Sequence, residues 1–128
     1  MEKNVLLIED DQLLAEVYQK SLASEGLNVF MADDTQTAMK LFDKNQIGII
    51  VLDIVLGDTN GFELLKRLRR RAGSHMIPVV IVTGLNTDEV GLNKELCVSL
   101  NIIGIYTKSQ FSVGKLVEVV QYGLSNYE

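Results

Sequence analysis

The chain alternates short runs of consecutive apolar residues with longer segments whose apolar residues recur every three or four positions. Val5-Leu6-Leu7-Ile8 is the first run, and it stops abruptly at Glu9-Asp10-Asp11. A run apolar on both faces predicts a strand buried between two layers. Leu13, Leu14, Val17, Ser21 and Leu22 then recur at helical spacing, and Gly26 offers a left-handed stop. The alternation continues with a strand over 27–32 and a helix over 35–44 that turns Ala38, Leu41 and Phe42 inward. A third strand over 47–52 ends at Asp53, and a helix over 60–72 follows with Phe62, Leu64, Leu65 and Leu68 in register. The fourth strand, 77–82, runs into Thr83-Gly84, and Asn86 with Glu89 fits a capping box for a helix reaching about Ser99. The fifth strand, 102–107, ends at Lys108, and Val113, Leu116, Val117, Val120 and Leu124 form the inward stripe of a last helix. Strand and helix alternating five times predict one α/β domain over residues 1–128. Its sheet is parallel and doubly wound, because right-handed crossovers return each strand to the same sheet.

Composition narrows what such a domain does. Twelve basic against seventeen acidic residues leave a net charge of −5. That argues against direct nucleic-acid binding, whose affinity comes largely from neutralising phosphates. One cysteine and one histidine exclude an internal disulfide and a Cys/His zinc cage. The N-terminus runs into only four apolar residues, too few for a signal peptide or a membrane span, so a cytoplasmic location is expected. The basic run from Lys66 to Arg71 reads as a solvated face at a helix C-terminus, where cations are favoured. Cys97 reads as packing and His75 as an exposed loop residue.

The polar residues that end the apolar runs carry the chemistry. Glu9 and Asp10 end the first strand, Asp53 the third, Thr83 the fourth and Lys108 the fifth. In an open parallel sheet the carboxyl ends of the strands form the ligand crevice, so these side chains are expected to converge there. Three carboxylates together repel and call for a cation; an all-oxygen set suits a hard divalent ion. With a lysine and a hydroxyl beside them, one carboxylate is placed to accept a phosphoryl group. Asp11, one place further on, reads as the cap of the first helix.

Taken together the pattern resembles the receiver domain of two-component response regulators. The resemblance spans nearly the whole chain. It rests on residues 5–11 (VLLIEDD), 49–61 (IIVLDIVLGDTNG) and 77–84 (IPVVIVTG), and on Lys108. It implies a flavodoxin-like (βα)5 fold with strand order 2-1-3-4-5. It implies Asp53 as phosphoacceptor, and Mg2+ (or Mn2+) held by Glu9, Asp10, Asp53 and the Val55 carbonyl, with Glu9 acting mainly through a water. Thr83, the Gly84 amide and Lys108 would contact phosphoryl oxygens. The implied partners are a sensor histidine kinase or histidine phosphotransfer protein and a downstream protein effector. Self-association is implied through helix four, strand five and helix five.

The chain departs from the family in three respects. Ser109 stands where a proline follows the lysine, so Lys108-Ser109 is expected to be trans, a cis bond there costing about 2.5–4 kcal/mol. The family's switch aromatic lies three residues before the lysine, where this chain has Ile105, with Tyr106 one place later. Side chains alternate along a strand, so Tyr106 is expected on the opposite face unless a bulge restores it, and bulges are uncommon in parallel strands. Gly57 replaces the usual proline after the acceptor, and Gly91 and Asn93 weaken helix four. The reading is a phosphorylation switch rather than a turnover enzyme, either stand-alone or the receiver piece of a longer protein. Apolar Val55 and Leu85 beside the acceptor predict slow loss of the phosphoryl group, since neither orients an attacking water. Two other readings remain, a phosphorylation-independent interaction module and a small-substrate phosphohydrolase. Val55 stands where such hydrolases carry their second acid.

Overall fold

Four apolar residues in a row need cover on both sides, and the strands built from them lie in the middle of the sheet. β1 (Asn4–Ile8) and β3 (Ile49–Leu52) pair in parallel, and Val5 to Ile8 and Ile49 to Leu52 are all buried. β2 (Asn28–Ala32), β4 (Val79–Thr83) and β5 (Ile102–Thr107) complete a parallel five-stranded sheet in the order β2-β1-β3-β4-β5. The computed structural model describes residues 3–57, 60–71, 73–85 and 94–126. The capping box at Asn86 and Glu89, and the residues Gly91 and Asn93, lie outside the described residues.

Period-two alternation divides the core. Leu6, Ile8, Ile50 and Leu52 face α2 (Thr35–Lys44), α3 (Gly61–Arg69) and α4 (Lys94–Ser99). Val5, Leu7, Ile49 and Val51 face α1 (Gln12–Ser24) and α5 (Val113–Asn126). Asp11 caps α1 by accepting from the Leu14 N–H at 3.2 Å, and Gly26 ends it with φ +83°. Asp34 and Asn60 cap α2 and α3 in the same way. No helix among the described residues is long and apolar enough to cross a membrane.

The structure corrects four local expectations. α1 turns Ala15, Tyr18 and Leu22 inward and leaves Leu13 77% and Val17 47% exposed. Two apolar stripes compete on that helix, and the one carrying Tyr18, with the larger area to bury, takes the core. α3 stops at Arg69, short of residue 72. The inward stripe of α5 includes Val119 and Gly123, while Val113 and Val117 are half-buried. A Cβ on Gly123 would lie 2.5 Å from Ile49 Cδ1, so the glycine lets the helix approach the sheet. Finally, the basic run is not uniformly solvated. Arg69 is half-buried and donates to the carbonyl oxygens of Ser74, Ile77 and Leu100, tying the end of α3 to the segments that lead into β4 and β5.

β5 carries an irregularity. Val79 pairs with Ile102 but Val80 pairs with Gly104, leaving Ile103 as the extra residue of a bulge. Ile102 and Ile105 therefore pack against the α2–α3–α4 side, and Ile103 and Tyr106 against the α1–α5 side. The bulge lies upstream of Tyr106 and does not bring it to the face of Ile105.

Candidate functional site

The acidic residues sit one position beyond the central strands, where the ladder still holds their backbone. The Asp53 N–H donates to the Ile8 carbonyl and the Glu9 N–H to the Ala32 carbonyl, both at 3.0 Å. Continuing the ladder fixes both residues at the carboxyl edge of the sheet, and each is 4% exposed. Asp10 follows on the exposed side. Carboxylate oxygens of Glu9, Asp10 and Asp53 all lie within 4.8 Å of one another.

Lys108 enters this cluster from β5. Its Nζ lies 2.9 Å from Asp53 Oδ2 and 2.8 Å from Glu9 Oε1, so one ammonium bridges the two buried acids. There is no cis peptide bond among the described residues, so Lys108 reaches the acids with a trans bond to Ser109. The remaining oxygens meet backbone donors. Asp53 Oδ1 accepts from the Val55 N–H at 3.0 Å, and Glu9 Oε2 from the Asp11 N–H at 3.1 Å. Burial raises the Glu9 carboxyl from 4.5 to about 7, against the opposing pull of the Lys108 and Asp11 hydrogen bonds. Burial would lower the Lys108 ammonium, but its bonds to Asp53 and Glu9 outweigh that and hold its proton above the usual value.

The loop after Asp53 folds back on itself. The Gly61 N–H donates to the Ile54 carbonyl at 2.7 Å, and Val55 bridges to Asn60. A Cβ on Gly61 would lie 2.6 Å from the Asp53 carbonyl oxygen and 2.8 Å from Ile54 Cα, so only glycine fits this approach. Thr83 is fully buried at the end of β4, and its Oγ1 accepts from the Leu85 N–H at 3.2 Å. Gly84 is exposed, and a Cβ there would meet open space.

Sequence reasoning missed three features of this site. Glu9 is a direct partner of Lys108, the Val55 N–H holds an acceptor oxygen, and Gly61 allows the loop to close. The Asn60-Gly61 pair was the visible signal for the last, a cap residue followed by the smallest side chain. Tyr18 also lies under the pocket's influence: burial raises its phenol, with the Glu9 charge adding to the effect.

Chemically, the pocket offers an all-oxygen donor set suited to a hard divalent cation. It also offers a carboxylate whose two oxygens are already oriented, by an ammonium and by a backbone N–H. Residues 5–121 match the family model described as the response regulator receiver domain. The transcriptional regulatory protein CpxR of Escherichia coli is 33% identical over 84 residues, covering 66% of this chain and 34% of that protein. The receiver domain of the Francisella response regulator 1452 superposes with a TM-score of 0.80 at 27% identity, covering 98% of each chain. The chemotaxis response regulator CheY4 of Vibrio cholerae shares the fold, with a TM-score of 0.81 at 21% identity, covering 96% of this chain and 99% of that one. The matches cover from 34% to 52% of the curated relatives' length.

Proposed function

Since the chain belongs to the response regulator receiver domain family of two-component systems, we propose that Asp53 accepts a phosphoryl group from a phosphohistidine. The donor is a sensor histidine kinase or a histidine phosphotransfer protein. The observation that carries this reading is the setting of Asp53: buried, with Oδ2 on Lys108 Nζ and Oδ1 on the Val55 N–H. In the transfer an Asp53 carboxylate oxygen attacks phosphorus, the phosphorus–nitrogen bond breaks, and the imidazole leaves and takes up a proton. Lys108 then turns its ammonium to a phosphoryl oxygen, and the Thr83 hydroxyl and Gly84 amide hold the others. Glu9, Asp10, Asp53 and the Val55 carbonyl would hold Mg2+ (or Mn2+), with Glu9 shared between Lys108 and a metal-bound water. When bound, the ion offsets negative charge on the phosphoryl oxygens.

The chain acts as a switch that carries the phosphoryl group rather than as a turnover enzyme, and it signals to a protein effector. Exposed Leu13 and Val17 lie one turn apart on the helix that leaves the site, which suits a protein donor docking there. The α4–β5–α5 edge is the surface on which to test self-association.

The deciding experiment is incubation with Mg2+ and acetyl phosphate or phosphoramidate, followed by intact-mass measurement. One added phosphoryl group is expected on the protein and none on Asp53→Ala. Val55 and Leu85 offer no group to orient water, so the adduct is expected to persist well beyond seconds. No adduct despite measured Mg2+ binding identifies a phosphorylation-independent interaction module instead. Continuous phosphate release identifies a hydrolase.

A further inference from the structure

Lys108 belongs to two structures at once. Its ammonium bridges Glu9 and Asp53, and its backbone opens the single 3-10 turn, Lys108–Gln110, that leads from β5 to α5. Tyr106 lies two residues before that lysine and Phe111 one residue after the turn. Their rings stack across it, with centroids 4.5 Å apart and planes inclined by 20°. The turn is thus pinned inside by an ion pair and outside by a ring pair, with the Thr107 hydroxyl reaching Gln110 Oε1 at 3.4 Å.

The Tyr106 ring has a place made for it. It lies over Gly104, where a Cβ would come within 2.6 Å of ring carbon Cε2, so the bulge and the glycine together clear the strand for the ring. Beyond it lies a groove of about 320 Å³ lined by Ile103, Tyr106, Lys115, Glu118, Val119 and Tyr122. Ile105 faces the other side of the sheet and has no polar atom with which to bond Thr83.

We propose that the Tyr106–Phe111 stack reads the charge of the carboxylate pocket through Lys108. The inference rests on the phosphoacceptor reading only for what changes the pocket's charge in the working protein. Lys108 sits between two carboxylates that compete for it. Neutralising Asp53, or loading it with a phosphoryl group, makes that competition unequal and shifts the ammonium. Only Ser109 and Gln110 separate the shifted lysine from Phe111, too few to absorb the movement independently. β5 is an edge strand whose residues after Ile102 are only half-buried, so its end gives way before the buried ends of β1 and β3 do.

The test is the proton–carbon resonances of the Tyr106 ring, assigned with Tyr106→Phe. Asp53→Asn is expected to shift them without any phosphodonor present. Phosphodonor and Mg2+ are expected to shift them in the unaltered protein in proportion to the adduct seen by intact mass. Phe111→Leu, remote from the reacting atoms, is expected to accept phosphoryl at a rate within twofold while the Tyr106 response is lost. A ring unmoved in Asp53→Asn overturns the proposal, as does an adduct that leaves the ring unmoved or a full response in Phe111→Leu. A ring that moves in Asp53→Asn while no adduct forms supports the relay and overturns the phosphoacceptor reading.

Discussion

β1 and β3 are buried from Val5 to Ile8 and from Ile49 to Leu52, and each has a hydrogen-bonded strand on both sides. They deliver Glu9 and Asp53. β5 has one neighbour, is half-buried after Ile102, and delivers Lys108. The pocket's anions are therefore placed by the centre of the sheet and its cation by the edge. A ladder bonded on both sides leaves little freedom at its end, whereas an edge strand with a bulge can shift. The lysine is drawn to where the carboxylates already are, and the two ion pairs do as much to position the end of β5 as β5 does to position them.

The hardest test of that difference removes the cation. Lys108→Ala leaves Glu9 and Asp53 buried side by side without their shared ammonium. Phosphorylation from a small phosphodonor is expected to slow by about 100-fold, the usual scale for deleting one charge-stabilising donor in an enclosed site. Quenched time courses read by intact mass measure it, and a rate within threefold of the unaltered protein would show that the edge contributes nothing to the chemistry.

Arg69 tests how the edge is kept in place. Its guanidinium donates to carbonyls of Ser74, Ile77 and Leu100, the last lying just before β5, and burial lowers its proton affinity to about 10, so it stays charged at neutral pH. Arg69→Met removes the donor to the Ile77 and Leu100 carbonyls, while the Ser74 carbonyl keeps the Ile77 N–H, and a loss of about 2–3 kcal/mol is expected in urea unfolding. Amide exchange is expected to quicken more in β5 than in β1. Equal quickening in both would mean that Arg69 supports the whole fold and the edge is not distinct.

The same contrast explains what could be read from the sequence. The central strands were legible because a run apolar on both faces has one stable home, and their terminal acids pointed to the site. α2 was legible to the residue because Asp34 caps it and its apolar stripe has no competitor. α1 was only partly legible: of its stripe Leu22 is buried and Leu14 packs on the core, while Leu13 and Val17 face outward and Ala15 and Tyr18 lie inward. Arg69 resembled its basic neighbours because nothing local marks the three carbonyls that await it. The face of Tyr106 followed from counting back along the strand from Lys108, yet the bulge at Ile103 lies outside that count. The convergence of Glu9 and Lys108 followed from their places at strand ends, but their direct ion pair joins residues far apart in the chain, and local pattern does not give it.

Gly61 tests the rigidity of the centre. A Cβ there would press on the Asp53 carbonyl oxygen at 2.6 Å and on Ile54 Cα at 2.8 Å, both backbone atoms that cannot swing aside. Gly61→Ala is expected to cost about 1–2 kcal/mol, as overpacking does, and to slow phosphorylation with it. A variant as stable as the unaltered protein would mean that the loop after Asp53 is as compliant as the edge.

The mildest test changes pH rather than a residue. Burial raises Glu9 to about 7 in the metal-free protein, against 4.5 for the free side chain. Between those values the folded state holds a proton that the unfolded chain has released, so unfolding releases it. Stability contributed by this group therefore falls as pH rises from about 4.5 through about 7 and levels off above. Lys108, held above its usual 10.5, keeps its contribution throughout that window and loses it only in more alkaline solution. Asp43 has the opposite slope: the Arg71 hydrogen bond lowers it below 3.8, so its contribution is lost only as pH falls toward that range. Urea midpoints measured without metal from about pH 5 to about pH 8 should fall, and Glu9→Gln should flatten that fall. A midpoint that rises across the same range would mean that Glu9 escapes to water, and that the end of β1 is no more rigid than the end of β5.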